Sequence, residues 1–260
     1  MDWQSYQRKK RRYTVLLLAG LTGITVLSIN TTGFSMARAG AGLGEILRFI
    51  LVDMLPPEWG SISRLLQPTL DTLYMSVVAM GTSSLVSFIL AFFAAGATTP
   101  HPLLQVIARA FATLLRTIPD MVWVLLIVPA YGLGVMAGTI ALFIAGVGLL
   151  TRAFAEALDE IDMGQVEALK AAGGSWLQIM GRAVMPQFWP ELLSWSLFNL
   201  DTNVRSSAII GMVGGGGLGF AIQAGIKLFQ FEEVTMAILM TVVLFVGIEF
   251  LTTVLRRNII

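Results

Sequence analysis

The 260-residue sequence has no cysteine, a single histidine (His101), and only 13% charged residues, about half the share found in ordinary soluble domains. The missing cysteines exclude a disulfide-built scaffold and a Cys-ligated zinc or iron-sulfur centre. One imidazole leaves little material for His-based metal chemistry. A net charge of +1 offers no broad basic surface for nucleic acid. No Gly-Lys-Ser/Thr occurs, so the chain lacks the phosphate-cradling loop by which many ATPases hold nucleotide. What it does have is a hydrophobic content of 56%, which excludes intrinsic disorder and matches an all-α polytopic membrane protein.

A hydrocarbon core of roughly 30 Å needs about 20 apolar residues in helix. Five runs qualify: Val15 to Ile29 with its flanks, Tyr74 to Ala97, Ile118 to Leu133, Val135 to Leu150 and Val234 to Leu255. A sixth, Leu192 to Met212, carries Asn199, Asp201, Asn203 and Arg205. About six spans are therefore expected. Arg8, Lys9, Lys10, Arg11 and Arg12 precede the first and Arg256 and Arg257 follow the last, so the excess of basic residues in cytoplasmic loops places both termini in the cytoplasm. The organisation expected is a first section, 1–68, holding the basic arm, an anchor and an outer amphipathic helix over Leu43 to Leu55, followed by a core of spans over 69–260. Ala37-Arg38-Ala39 imitates a signal-peptidase site, but the polar stretch before it favours an uncleaved anchor. Leu103 to Arg116 reads either as a cytoplasmic surface helix or as the lower part of the third span.

The segment at about 152–189 is charged yet patterned as helices. Asp162 fits an N-cap with Gln165 placed to return a hydrogen bond. Gly173-Gly174 stops that helix, and Ser175 with Gln178 forms a second capping box, starting a helix that should run to Pro186. The small residues Ala168, Ala171 and Ala172 allow close approach of a partner, and Glu167 is available to a basic group. The same pattern also suits a plain hairpin between spans.

Glu167-Ala168-Leu169, Gly173 and Pro186 resemble the EAA loop of bacterial ABC importer permeases, with Leu169 where the motif has alanine and Ala183 and Met185 in place of an aliphatic pair. Arg116-Thr117-Ile118-Pro119 is similar to the Arg-x-x-Pro start of a core helix in these permeases. Asn203 to Ala208, the glycines from Gly211 to Gly219, and Phe229-Gln230-Phe231 resemble the phosphonate branch, whose relatives also carry phosphite or phosphate. The resemblance implies a type I (MetI-like) permease core in the bacterial plasma membrane with no cofactor of its own. It also implies a second copy of the chain, two ATP-binding subunits carrying ATP and magnesium, and an extracytoplasmic substrate-binding protein. Glu167, Ala168, Gly173 and Pro186 would form the coupling loop.

An Asp and an Arg near mid-span each cost about 2.5 to 3.5 kcal/mol on the insertion scale, so the sixth run must be covered by protein or water. Asp201 and Arg205, spaced i, i+4, pair on one face, while Asn199 and Asn203 lie on a nearly opposite one. Asn203 or Arg205 is thus a candidate contact for an oxyanion in transit, a guanidinium matching phosphoryl oxygens as a planar fork. The alternative is a structural ion pair. Gly214 to Gly219 spells a dinucleotide fingerprint but follows a membrane helix and no strand, which rejects that reading. Gly211, Gly215 and Gly219 instead have the spacing of close helix packing, of an outer gate, or of a contact between copies. A polytopic enzyme would need paired carboxylates, a His cluster or an activated serine. His101 is alone between prolines, Ser206 and Ser207 have no base nearby in sequence, and Asp120 beside Pro119 suits a helix start. A stand-alone secondary transporter would show an inverted repeat, and none is discernible.

Overall fold

A computed structural model describes residues 3–259, and within them every side chain except those at 4, 5, 8, 258 and 259. The orientation argument from Arg8 therefore lies outside the described side chains. The described residues contain helices and no strand. The chain divides into two units, Met1–Leu55 and Pro56–Ile260.

The first unit holds α1 (Trp3–Thr32) and α2 (Met36–Arg48), the latter followed by a π-helical turn, Phe49–Asp53. Along α1 the hydroxyls of Thr22, Thr25, Thr31 and Thr32 donate to carbonyls of the preceding turn, the self-satisfied arrangement a helix needs in hydrocarbon. The expected helix over 43–55 begins earlier than the pattern indicated. Ser35 caps it by accepting from the Arg38 amide, and its last turn loosens to π geometry.

The second unit contains α3 (Ile62–Ala94), α4 (Pro102–Thr117), α5 (Asp120–Tyr131), α6 (Val135–Asp159), α7 (Met163–Ala171), α8 (Trp176–Ile179), α9 (Met185–Ile210), α10 (Gly217–Lys227) and α11 (Phe231–Ile259). By length and composition four helices in the described chain can cross a membrane: α1, α3 with its preceding turn, α6 and α11. The count reaches six when two bent pairs are each taken as one span. One pair is α4 and α5, which meet at 86°. The run Ile118 to Leu133 corresponds to α5, whose 12 residues reach only about 18 Å, so it cannot cross alone. The 86° bend means that α4 and α5 do not form one straight span. Pro119 makes the corner: Ile118 before it is extended (φ −83°, ψ 122°), as a residue preceding proline prefers.

Packing centres on α6, whose inward residues, including Ala137, Ala141, Gly146 and Leu150, are buried. Facing it, α3 presents a stripe of small side chains, Ser76, Ala79, Ser83, Ser87 and Ala91, all buried, which lets the two backbones approach as in small-xxx-small contacts. Two apolar clusters cap this interface. One, at the end bearing α7 and α8, gathers Leu150, Phe154, Leu158 and Phe188. The other, at the opposite end, gathers Met75, Val124, Leu142 and Ile210.

Candidate functional site

The loop between α6 and α9 is built as the sequence pattern implied, with two departures. Asp162 caps α7 by accepting from the Gly164 amide at 2.8 Å, but Gln165 does not return the bond. The Asp162 amide instead donates to Gln187 Oε1 at 2.8 Å, and Gln187 Nε2 donates to the Ala183 carbonyl at 2.8 Å. A side chain on α9 thus closes the cap, a long-range partner that local spacing could not reveal. Gly173 then turns the chain at φ +75°, with its amide donating to the Lys170 carbonyl; no side-chain-bearing residue adopts this conformation cheaply. The Ser175–Gln178 capping box is present. The second departure concerns Pro186: the helix does not stop there. The helix runs on through a π-helical turn, Met180–Val184, into α9, and Pro186 sits within that continuous run.

Burial divides this loop sharply. Val166, Ile179, Ala183 and Val184 are buried in the loop-end cluster, while Glu167, Ala168, Ala171 and Ala172 are exposed. Beneath it, Phe88 and Phe92 of α3, Phe154 of α6 and Phe188 of α9 form an aromatic group with ring centroids 5.1 to 6.5 Å apart. Displacement of the exposed face therefore bears directly on three long helices, because close-packed rings transmit strain.

In α9 the four polar residues of the charged run separate as the i, i+4 argument required. Asn199 donates to Ser83 Oγ at 3.1 Å and Asn203 to the Ser76 carbonyl at 3.3 Å; both asparagines are buried. Ser84 donates to Ser196 Oγ at 2.9 Å. This ladder commits the asparagine face to α3, so Asn203, a candidate oxyanion contact by spacing, is held away from Arg205. The other face carries Arg205, whose Nε lies 3.2 Å from Asp201 Oδ2 and whose Nη2 lies 2.8 Å from Glu249 Oε2 on α11. Glu249 was missed by sequence reasoning, since nothing in the spacing ties a residue on the last helix to α9. Arg205 remains 49% exposed, with Asp201 at 21% and Glu249 at 61%. Beside them Ser206 donates to Asp120 Oδ2 at 2.8 Å, and His101 caps α4 by accepting from the Leu103 amide. Each of the residues weighed for an enzymatic role thus has a structural partner.

The glycines Gly211, Gly215 and Gly219 mark close backbone approach inside the chain. A Cβ at Gly215 would lie 2.8 Å from the Ile210 carbonyl oxygen, and one at Gly219 would lie 2.9 Å from Gly211 Cα. The chain bends by 53° through Gly214 (φ +107°) and Gly216 (φ +83°), and α10 then begins with the Leu218 amide donating to Thr72 Oγ1 at 2.9 Å. The described residues contain no group of three or more His, Cys, Asp or Glu arranged to hold a metal ion.

Residues 87–260 match the family model described as the binding-protein-dependent transport system inner membrane component. Among curated relatives, the phosphite transport system permease protein PtxC of Stutzerimonas stutzeri is 32% identical over 79% of this chain and 75% of its own length. The phosphate-import permease protein PhnE of Mycolicibacterium smegmatis is 34% identical over 80% of this chain, which spans 39% of that longer protein. Among solved structures, an inward-facing form of the MetNI methionine ABC transporter aligns with a TM-score of 0.69 at 23% identity, covering 78% of this chain and 99% of that one.

Proposed function

We propose that this chain, which belongs to the family of binding-protein-dependent transport system inner membrane components, moves a phosphorus oxyanion (phosphonate, phosphite or phosphate) through an ATP-driven importer. As a family member it is a transport component of an inner membrane and not an enzyme. Its fold is that of a MetI-like type I importer permease. The oxyanion assignment draws on the relatives named for phosphite and phosphate, together with a half-exposed guanidinium near mid-span. Arg205 would meet the anion, and the asparagine ladder would hold α9 in place against α3. Two copies of the chain would enclose the path, and an extracytoplasmic binding protein would deliver the cargo. Both termini would face the cytoplasm.

Coupling is carried by one observation above the others: the exposed Glu167–Ala172 face stands on a buried anchor wedged against the Phe88, Phe92, Phe154 and Phe188 rings. Two separate ATP-binding subunits, holding ATP and magnesium, would each grip one such loop through Glu167 and Ala168, with Gly173 setting its turn and Pro186 lying in the helix that leads out of it. Closure of the ATPase pair draws the loops together and swings the long helices between inward-open and outward-open states, each ligand favouring one of them. The glycine contacts at Gly211, Gly215 and Gly219 would give the opposite end its gate. The test is uptake by the complete complex in proteoliposomes across a panel of phosphorus oxyanions. Glu167→Lys and Gly173→Val are expected to insert in the membrane but to abolish ATP-dependent uptake. Wild-type uptake by either variant would overturn the coupling assignment, and uptake of no phosphorus oxyanion by the wild type would overturn the substrate class.

A further inference from the structure

Near the loop end, a cavity of about 140 Å³ lies between α4 and α6, lined by Ala94, Arg109, Ala112, Thr113, Thr151, Arg152, Ala155 and Glu156. Thr151 is completely buried, and its Oγ1 has no hydrogen-bond partner. This is anomalous within the molecule. Threonines inside helices elsewhere, such as Thr139, Thr202, Thr235 and Thr241, donate to the carbonyl four residues back, and a buried hydroxyl left without a partner is costly.

We propose that this cavity is a binding site for a small tetrahedral oxyanion of the phosphate class, held by Arg109, Arg152 and the Thr151 hydroxyl. The two guanidiniums are positioned but not used up. Arg109 donates through Nε to the Ala94 carbonyl and through Nη2 to Asp159, each at 2.7 Å. Arg152 donates through Nε to Glu156 at 2.7 Å. Among the described residues this leaves Nη1 of Arg109 and both Nη groups of Arg152 free to donate. Each carboxylate takes one edge of a guanidinium and fixes the direction of its remaining N–H groups. An oxyanion there would accept from both forks and from Thr151, the group that now lacks an acceptor. The volume is several times the ~30 Å³ share of one liquid water, which admits a five-heavy-atom anion.

Binding by itself does not depend on the transport reading. Its consequence does: Arg109, Asp159 and Glu156 stand at the stem of the coupling loop, so anion accumulating on that side would clamp α4 to α6 just before the loop begins.

The experiment is equilibrium dialysis of radiolabelled inorganic phosphate against the full chain in nanodiscs of zwitterionic lipid. One saturable site per chain is expected, weakened about tenfold or more in both Arg152→Gln and Thr151→Val, the scale of one lost hydrogen bond to an ion. Thr151→Ser, which keeps the hydroxyl, and Arg64→Gln, which removes an exposed charge at the other end of α3, should bind as the wild type does. No saturable binding at millimolar phosphate would overturn the proposal. So would binding that persists unchanged in both Arg152→Gln and Thr151→Val, because the anion would then sit elsewhere.

Discussion

The charged cluster of α9 and α11 separates an anion path from a structural ion pair when neutralised stepwise. Arg205→Gln removes a guanidinium that holds Asp201 at 3.2 Å and Glu249 at 2.8 Å, and leaves two carboxylates facing each other in an apolar span. Breaking a buried pair costs about 3 to 5 kcal/mol, whereas an exposed pair is worth about 0 to 1 kcal/mol. With Asp201 21% and Glu249 61% exposed, an intermediate loss of about 2 kcal/mol is expected. At roughly 2 to 4 °C per kcal/mol for a chain of this size, the unfolding midpoint should fall by about 4 to 8 °C. The triple change Asp201→Asn, Arg205→Gln, Glu249→Gln removes the unpaired charge and keeps the shapes, so its midpoint should return to within about 3 °C of the wild type. Uptake distinguishes the roles. If Arg205 meets the oxyanion, the stable triple variant still loses at least about tenfold in kcat/KM, the value of one charge-assisted contact. Wild-type uptake by the triple variant would refute the path assignment. An unchanged midpoint in Arg205→Gln would refute the electrostatic coupling itself.

Gly146→Ala should destabilise the three-helix junction: its Cβ would stand 2.7 Å from Ser83 Oγ and 3.1 Å from Asn199 Nδ2, an overpacking cost of about 1 to 3 kcal/mol, whereas Gly181→Ala, with nothing within 4 Å, should shift the midpoint little. No loss in Gly146→Ala would count against the packing described. Gln187→Ala should leave the fold intact and lower uptake relative to ATP hydrolysis in the complex, since the α7 cap loses its anchor on α9; coupling equal to the wild type would show the anchor to be dispensable.

Much of this was legible one-dimensionally because its determinants are local. Apolar run length marks a span, and Gly173, Ser175 and Gln178 punctuate the loop between α6 and α9 through hydrogen bonds within three residues. The i, i+4 spacing of Asp201 and Arg205 sufficed for their pairing. Where local signals misled, a distant partner had intervened. The bond expected from Gln165 to the Asp162 amide came from Gln187, and the helix expected to run to Pro186 continues past it through a π turn into α9.

The sequence by itself thus determined that the chain lives in a bilayer, where a capped helical loop interrupts its spans, and that its mid-span charges must be sheltered, because these follow from hydrophobic length, local backbone chemistry and the cost of charge in hydrocarbon. Tertiary structure alone decided which face of α9 is committed to α3, that Glu249 joins Arg205, that α4 turns across α5 at 86°, and that Thr151 is buried beside two arginines without an acceptor. Those outcomes depend on which helices meet, and helix meetings are set by the fit of small-residue stripes and glycines far apart in the chain, which no local window contains.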